Sequence, residues 1–238
     1  SNSHSKNTNK TKQVNLLPTG NFTTTSEAKT NEDRYGHNLN FTFEFKIDST
    51  ASINITPKFL KANSKYKLNS SQASIDENEL LLNENNSNSF EETDKTNFSN
   101  SINYNKAFKK KGRFINLNFQ NDNGNEVGNS LNQSTSIFYQ ATTPNDIRDQ
   151  KLKNRNVKDV YDSEVEYTEP LRDSTSVIFG VYWRREKSIE DHKAFDFDVA
   201  SQTYSDDNPE LTYYTFSNIK MITPKSGFAI QKKKFNLN

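Results

Sequence analysis

Residues 38–47 alternate strictly. Leu39, Phe41, Phe43, Phe45 and Ile47 occupy the odd positions, and Asn38, Asn40, Thr42, Glu44 and Lys46 the even ones. Successive side chains of a strand point to opposite faces, so the run predicts a strand with one apolar and one polar face. The pattern breaks at Asp48-Ser49-Thr50-Ala51 and resumes from residue 52 to about 59 through Ile53, Ile55 and Phe59, which predicts an antiparallel hairpin. The same signature recurs over residues 97–108 (Phe98, Ile102, Tyr104, Phe108) and 114–120 (Ile115, Leu117, Phe119), with residues 134–140 as an extension. It returns over 160–168 (Tyr161, Val165, Tyr167), 176–183 (Val177, Phe179, Val181, Trp183), within 215–231, and from Phe235 onward. About eight strands are expected. Residues 145–156 and 208–216 have room for one helical turn, but neither carries an apolar stripe.

The connections alternate in length. Ser49, Lys110, Arg172 and Lys232 mark the middles of short turns about every 60 residues. Residues 61–96, 121–159 and 184–214 read as long connections between them. Structureless loops of this size are unusual in compact domains, where typical connections are about 4–6 residues. Alternation of short turns and long loops is what an outer-membrane barrel presents, with apolar residues facing lipid and polar ones facing the lumen. The fold expected is therefore all-β: an antiparallel up-and-down meander, part of a transmembrane outer-membrane β-barrel with short periplasmic turns and long extracellular loops. Tyr167, Tyr182 and Trp183 suit an interfacial aromatic girdle. A soluble all-β ligand- or glycan-binding module of an envelope or secreted protein is the alternative. Two details resist a regular wall: Pro57 has no amide hydrogen for a ladder, and Ile178 and Tyr182 fall on the polar side of their strand.

Composition sharpens this picture. Only 31% of residues are hydrophobic, yet 12% are aromatic, among them 17 Phe, which argues against simple disorder. In a wall, lipid covers one face and water the other, so low hydropathy needs no large core. The charge is balanced at 31 basic and 30 acidic residues, predicting no general attraction to nucleic acid or to an anionic membrane surface. The absence of cysteine excludes disulfides, thiolate metal sites and cysteine nucleophiles. No run of 18 apolar residues exists, so no transmembrane helix is expected. Residues 1–34 read as a polar leader or loop, with a vector scar as one reading of the opening Ser-Asn-Ser. Residues 35–238 read as the barrel segment, and both ends as cuts through a longer polypeptide.

Chemistry-bearing candidates are sparse. His4, His37 and His192 lack any paired metal spacing and read as exposed. Residues 120–128 gather Asp122, Asn123, Asn125 and Glu126 around a glycine, but without the EF-hand spacing, so a polar turn is expected over a calcium site. The acidic pairs in residues 75–79, 90–94 and 204–210 read as solvated loop charge, and the basic runs at 108–113 and 231–235 as solvated turn lysines. No nucleophile–base order, P-loop or Gly-rich dinucleotide motif is present. No catalytic, cofactor-binding or metal-binding residue is assigned, no cofactor is expected, and the chain is read as not an enzyme.

Three stretches carry a resemblance. HNLNFTFEFKIDSTASINITPKF, INYNKAFKKKGRFINLNF and EVEYTEPLRDSTSVIFGVYW resemble consecutive hairpins of the TonB-dependent receptor-like outer-membrane β-barrel proteins of Bacteroidetes. The likeness rests on Asp48-Ser49-Thr50, on Phe108 through the lysines to Phe114, and on residues 167–171, and spans residues 35–238. It implies a middle segment of a larger barrel in the bacterial outer membrane. Its partners would be outer-membrane lipid, the remaining barrel strands, an amino-terminal plug domain, a TonB system that supplies energy through the full-length protein, and a transported ligand.

Overall fold

The computed structural model describes residues 2–18, 20–139, 143–172, 174–232 and 235–237. Within them the chain is an antiparallel β-meander without a helix: β1 (Asn2–Asn15), β2 (Phe22–Asn40), β3 (Phe43–Asp48), β4 (Ala51–Asp76), β5 (Leu81–Ala107), β6 (Phe114–Phe138), β7 (Asp146–Arg172), β8 (Thr175–Asp198), β9 (Thr203–Asp207), β10 (Tyr213–Lys232) and β11 (Phe235–Leu237). The sheet order is β1-β2-β4-β5-β6-β7-β8-β10-β11, with β3 also on β4 and β9 also on β8. The sheet is not closed. The two stretches with room for a helical turn are strand and turn.

β2 and β3 are one strand interrupted opposite Pro57. Asn40 faces Lys58 and Phe43 faces Ile55, so the register does not change across the gap. The Phe41 amide donates to the Pro57 carbonyl at 3.1 Å. Both main-chain groups of a residue in an antiparallel ladder point to the same neighbour, and proline returns no donor. The Phe41/Pro57 pair thus keeps one of its two hydrogen bonds, and regular pairing lapses for two residues. β9 and β10 likewise share β8 as neighbour, separated by a short insertion anchored by Asn208 N to Ala194 O and by Ala194 N to the Thr212 hydroxyl.

The segments expected as long loops are strands. β4 and β5 remain paired from Ala51/Lys106 out to Ile75/Leu81, and β6 and β7 from Phe114/Thr168 out to Ser136/Asp146. The polar stretch before residue 35 belongs to the same sheet, with β1 paired to β2 from Asn2/Tyr35 to Asn15/Phe22. These outer halves hold few apolar residues and are held by ladders on both sides and by cross-strand polar pairs. Examples are Ser70–Ser87 at 2.7 Å, Thr24–Ser74 at 3.0 Å, Lys65–Glu92 at 3.0 Å and Lys95–Glu126 at 3.2 Å.

Aspartates build several reversals. Asp48 Oδ1 accepts from the Thr50 amide and hydroxyl, both at 2.6 Å. Asp76 Oδ1 accepts from the Asn78 and Leu80 amides, both at 2.8 Å, and Asp198 accepts from the Ala200 and Ser201 amides. These are side-chain mimics of a backbone turn. The β5–β6 turn instead uses Gly112 at φ +82°, the left-handed region that costs a glycine little.

Almost nothing is packed inside. Ala51, Val160 and Ala194 are the buried hydrophobic residues among those described. The accessible surface is 16831 Å², against roughly 10,900 Å² for a compact monomer of this mass. The molecule is a single layer with both faces bare.

Candidate functional site: a two-faced wall

Register converts the alternation into surfaces. One row across seven strands reads Phe45, Ile53, Tyr104, Leu117, Val165, Val181 and Pro224. A parallel row on the same face reads Phe43, Ile55, Ile102, Phe119, Ser163, Trp183 and Ile222. Between them, on the opposite face, runs Glu44, Asn54, Asn103, Asn118, Glu164, Tyr182 and Thr223. In these two rows one face is apolar except for Ser163, and the other is polar at the same height. Phe43, Phe45, Phe179 and Ile222 are 45%, 52%, 55% and 70% exposed, so no protein layer covers the band. Phe41, Phe43 and Phe45 stack along their own strand with ring centroids 6.2 and 6.4 Å apart.

The band is uneven in height: over β6–β10 the next row on this face already presents Asn121, Tyr161, Arg185 and Lys220, whereas over β2–β5 it continues through Leu39, Phe41, Phe59 and Phe98. Further from the short turns, the same face presents the row Lys65, Glu92, Asn129, Lys153 and Lys193. Trp183 sits in the last apolar row of β8 before Arg185, and Tyr167 near the short-turn limit. Tyr182, expected in an aromatic girdle, lies on the polar face and donates to Asp162 at 2.5 Å. Ile178 lies on that face opposite Gly227 in unbroken register, and a Cβ on Gly227 would only make ordinary contact with it at 3.7 Å.

The polar face has two zones. Over β5 and β6, four carboxamides form a closed ring. Asn118 donates to Asn116 at 2.5 Å, Asn116 to Asn105 at 2.6 Å, Asn105 to Asn103, and Asn103 back to Asn118. Each keeps one N–H and one lone pair for a neighbour above the sheet. Over β7, β8 and β10 the face is charged but paired. Arg184 lies 3.1 Å from Asp162 and 2.6 Å from Glu186, Lys158 lies 3.2 Å from Glu186, and Lys225 pairs with Glu164. A shallow groove of about 490 Å³ joins the zones, with Ser101, Gln120, Asp162 and Arg184 in its lining.

At the short-turn rim, ion pairs link successive hairpins. Lys106 reaches Asp48 at 2.9 Å, and Lys110 and Arg113 reach Glu169 at 2.6 and 2.8 Å. At the opposite end, Glu27 is held below the usual carboxylate range by Lys29 and Lys10, and Asp198 by the Ser201 hydroxyl and the Ala200 amide. Burial, then the Asp149 carboxylate, pushes the Tyr204 phenol up.

The residues weighed for chemistry do not converge. His4 contacts Asp33 at 2.5 Å on the first hairpin, His37 packs edge-on against Tyr35, and His192 stacks on Tyr213 at 4.9 Å. No cluster of metal-binding side chains occurs among the described residues. Residues 120–128, expected as a polar turn, run through the middle of β6. Alternation puts Asp122 and Asn123 on opposite faces, where Asp122 accepts from Asn97 and Asn123 donates to Asp159 and Tyr161. The acidic pair of residues 90–94 is strand too, with Glu92 on Lys65 and Asp94 accepting from Asn63. The asparagine ring was missed in sequence because its members are spaced only as alternate residues of two strands. Comparison with protein families, with curated proteins and with solved structures gives no match to this chain.

Proposed function

We propose that this chain is wall and lumen surface of an outer-membrane β-barrel that takes up a ligand in a TonB-dependent manner. The observation that carries the membrane reading is the uncovered apolar band with a polar row directly behind it. Water opposes such an exposed band, and a protein core would need a second layer to cover it. Hydrocarbon on one side and a wet lumen on the other match both faces at once. On β4 the band runs from Ala51 to Phe59, roughly 26 Å along the strand or roughly 20 Å along the normal at a tilt of ~40°, and on β8 only from Val177 to Trp183, roughly 20 Å along the strand or roughly 15 Å along the normal. Barrel belts are ~25 Å tall. The absence of a long apolar helix is neutral, since barrels cross with strands.

Hydrocarbon also demands paired backbones. Residues 38–48 have no ladder on the side away from β4 among the described residues. The reading therefore needs further strands to close the barrel. The plug, the TonB contact and the ligand belong to that complete protein, and the resemblance of the hairpins to TonB-dependent receptor-like barrels supports this part. The asparagine ring and the paired charges would then face the lumen, and the outer halves of β4–β8 would stand above the membrane on the extracellular side.

These 238 residues include no cysteine, so with any cysteine elsewhere in the full-length protein replaced, single introduced thiols report without ambiguity. Phe43→Cys and Glu44→Cys, each carrying a fluorophore in the full-length protein in vesicles, should behave oppositely. Position 43 should be quenched by nitroxide-labelled lipid and position 44 by aqueous iodide. Quenching of both by iodide alone, in folded and inserted protein, would remove the membrane wall and favour the soluble binding module.

A further inference from the structure

The three described short turns carry an excess of one charge. Residues 46–50, 106–113 and 169–175 hold seven basic and three acidic side chains, in a chain otherwise balanced at 31 to 30. The meander places all three turns at one end of the sheet. The β10–β11 connection adds a further run of lysines in sequence, at residues 232–234.

The ion pairs at this rim divide the cations into two sets. Lys106, Lys110 and Arg113 are engaged by Asp48 and Glu169. Lys46, Lys109, Lys111 and Arg172 have no acidic partner among the described residues. Exposed apolar side chains flank the unpaired set: Phe108 is 42% exposed and packs edge-on to Tyr167, and Leu171 is 57% exposed. Free cations beside bare apolar groups, directly below an apolar band, match a headgroup layer: the hydrocarbon takes Phe108 and Leu171, and phosphates take the lysines.

We infer that this rim is a docking surface for anionic phospholipid headgroups of the leaflet that it faces, with Lys109 and Lys111 as principal contacts. The inference rests on the barrel-wall reading. It assigns the acidic rim residues a separate role, because Asp48 and Glu169 neutralise the cations that join hairpins and leave the turn-tip lysines for lipid.

The test uses the full-length protein in vesicles. Trp183 is the single tryptophan of this sequence, so the double variant W183F/F108W, with any tryptophan outside it replaced by phenylalanine, moves the reporter to the rim. Its quenching is compared in vesicles of brominated phosphatidylglycerol and of brominated phosphatidylcholine. A preference for the anionic lipid of roughly fivefold is expected at low salt, equivalent to the about 1 kcal/mol contributed by one basic side chain near an anionic surface. It should collapse toward unity in K109Q/K111Q and in high salt, and persist in K12Q/K193Q at the opposite end. The single variants K109Q and K111Q, each with a partial loss, serve if the double variant inserts poorly. Equal quenching by both lipids overturns the docking surface while leaving the wall intact. A preference that survives K109Q/K111Q removes these lysines from it. No quenching by either lipid, in folded protein, overturns the wall itself.

Discussion

Phe43 lies midway along the run from Leu39 to Ile47, four residues from each end, or roughly 13 Å at ~3.3 Å per residue. It pairs with Ile55 and its ring is 45% exposed on the band. On the proposed wall an arginine there falls near the middle of the hydrocarbon, where barrels lose roughly 2–4 kcal/mol. Ile47, at the rim and 62% exposed, is within reach of headgroups, and Ile47→Arg should cost roughly 0–1 kcal/mol. Glu44, one residue from Phe43, faces Asn54 on the polar side, so Glu44→Arg should fall within roughly 0.5 kcal/mol of wild type, as surface substitutions usually do. The assay is reversible urea unfolding of the full-length protein in vesicles, followed by Trp183 fluorescence. The expected order is Phe43→Arg far below Ile47→Arg, with Glu44→Arg close to wild type. Equal losses for Phe43→Arg and Glu44→Arg would refute the assignment of faces. Equal losses for Phe43→Arg and Ile47→Arg would refute the depth gradient, because a protein-covered core has no reason to relax toward the turn.

Three further outcomes are expected. Gly180→Ala would place a Cβ 3.1 Å from the Val165 carbonyl and should destabilise by roughly 1–3 kcal/mol, whereas Gly227→Ala, with 3.7 Å to Ile178, should cost less than roughly 1 kcal/mol in the same unfolding assay. Asn103→Ala and Asn118→Ala should each lose roughly 0.5–1.5 kcal/mol, and a double-mutant cycle should return a coupling of at least roughly 0.5 kcal/mol, since they share a ring; a coupling of zero would dissolve it. Asp198, held below its ordinary value of 3.8, stabilises the β8–β9 turn fully above that value and progressively less as the pH falls through its lower folded value. Amide protection at Ala200 and Ser201 should therefore be flat from neutral pH down to about 4 and fall below it; protection lost between pH 7 and 5 would contradict the carboxylate cap.

What sequence revealed follows the physics of each region. Alternation at Phe41–Ile47, Ile53–Phe59 and Val177–Trp183 fixes the faces, because period two has one geometric meaning and the apolar residues are large. Pro57 was legible as an obstacle but not its resolution, which depends on which strand its carbonyl faces. The segment from Lys61 to Thr96 read as loop because asparagine, serine and lysine are poor strand formers in isolation. It is strand because both flanking ladders are already in register and only cross-strand polar pairs need to be added. Residues 120–128 failed for the same reason, a turn-like composition held straight between β5 and β7. Gly124 and Gly128 lie within the β6 ladder, where an added Cβ would make ordinary contact with Asn97 and Thr93, so they mark no reversal.

The ion-paired and amide zones of the polar face carry a last consequence. Over β7, β8 and β10 the paired charges offset one another within contact distance, through Arg184 and Lys158 with Asp162 and Glu186 and through Lys225 with Glu164. Over β5 and β6 the ring of carboxamides carries no charge at all. A face built this way presents many donors and acceptors but little net field, so it holds water without concentrating either ion. The band behind it presents the reverse, with large area and no hydrogen bonding. A lone sheet with these two faces has no stable arrangement in a single solvent. In water the band of Phe43, Phe45 and their row would drive layers together. In hydrocarbon the asparagines would be left unsatisfied at several kcal/mol each. On the proposed barrel wall both media meet at the sheet, and the boundary between them, in place of a core, satisfies the two faces at once.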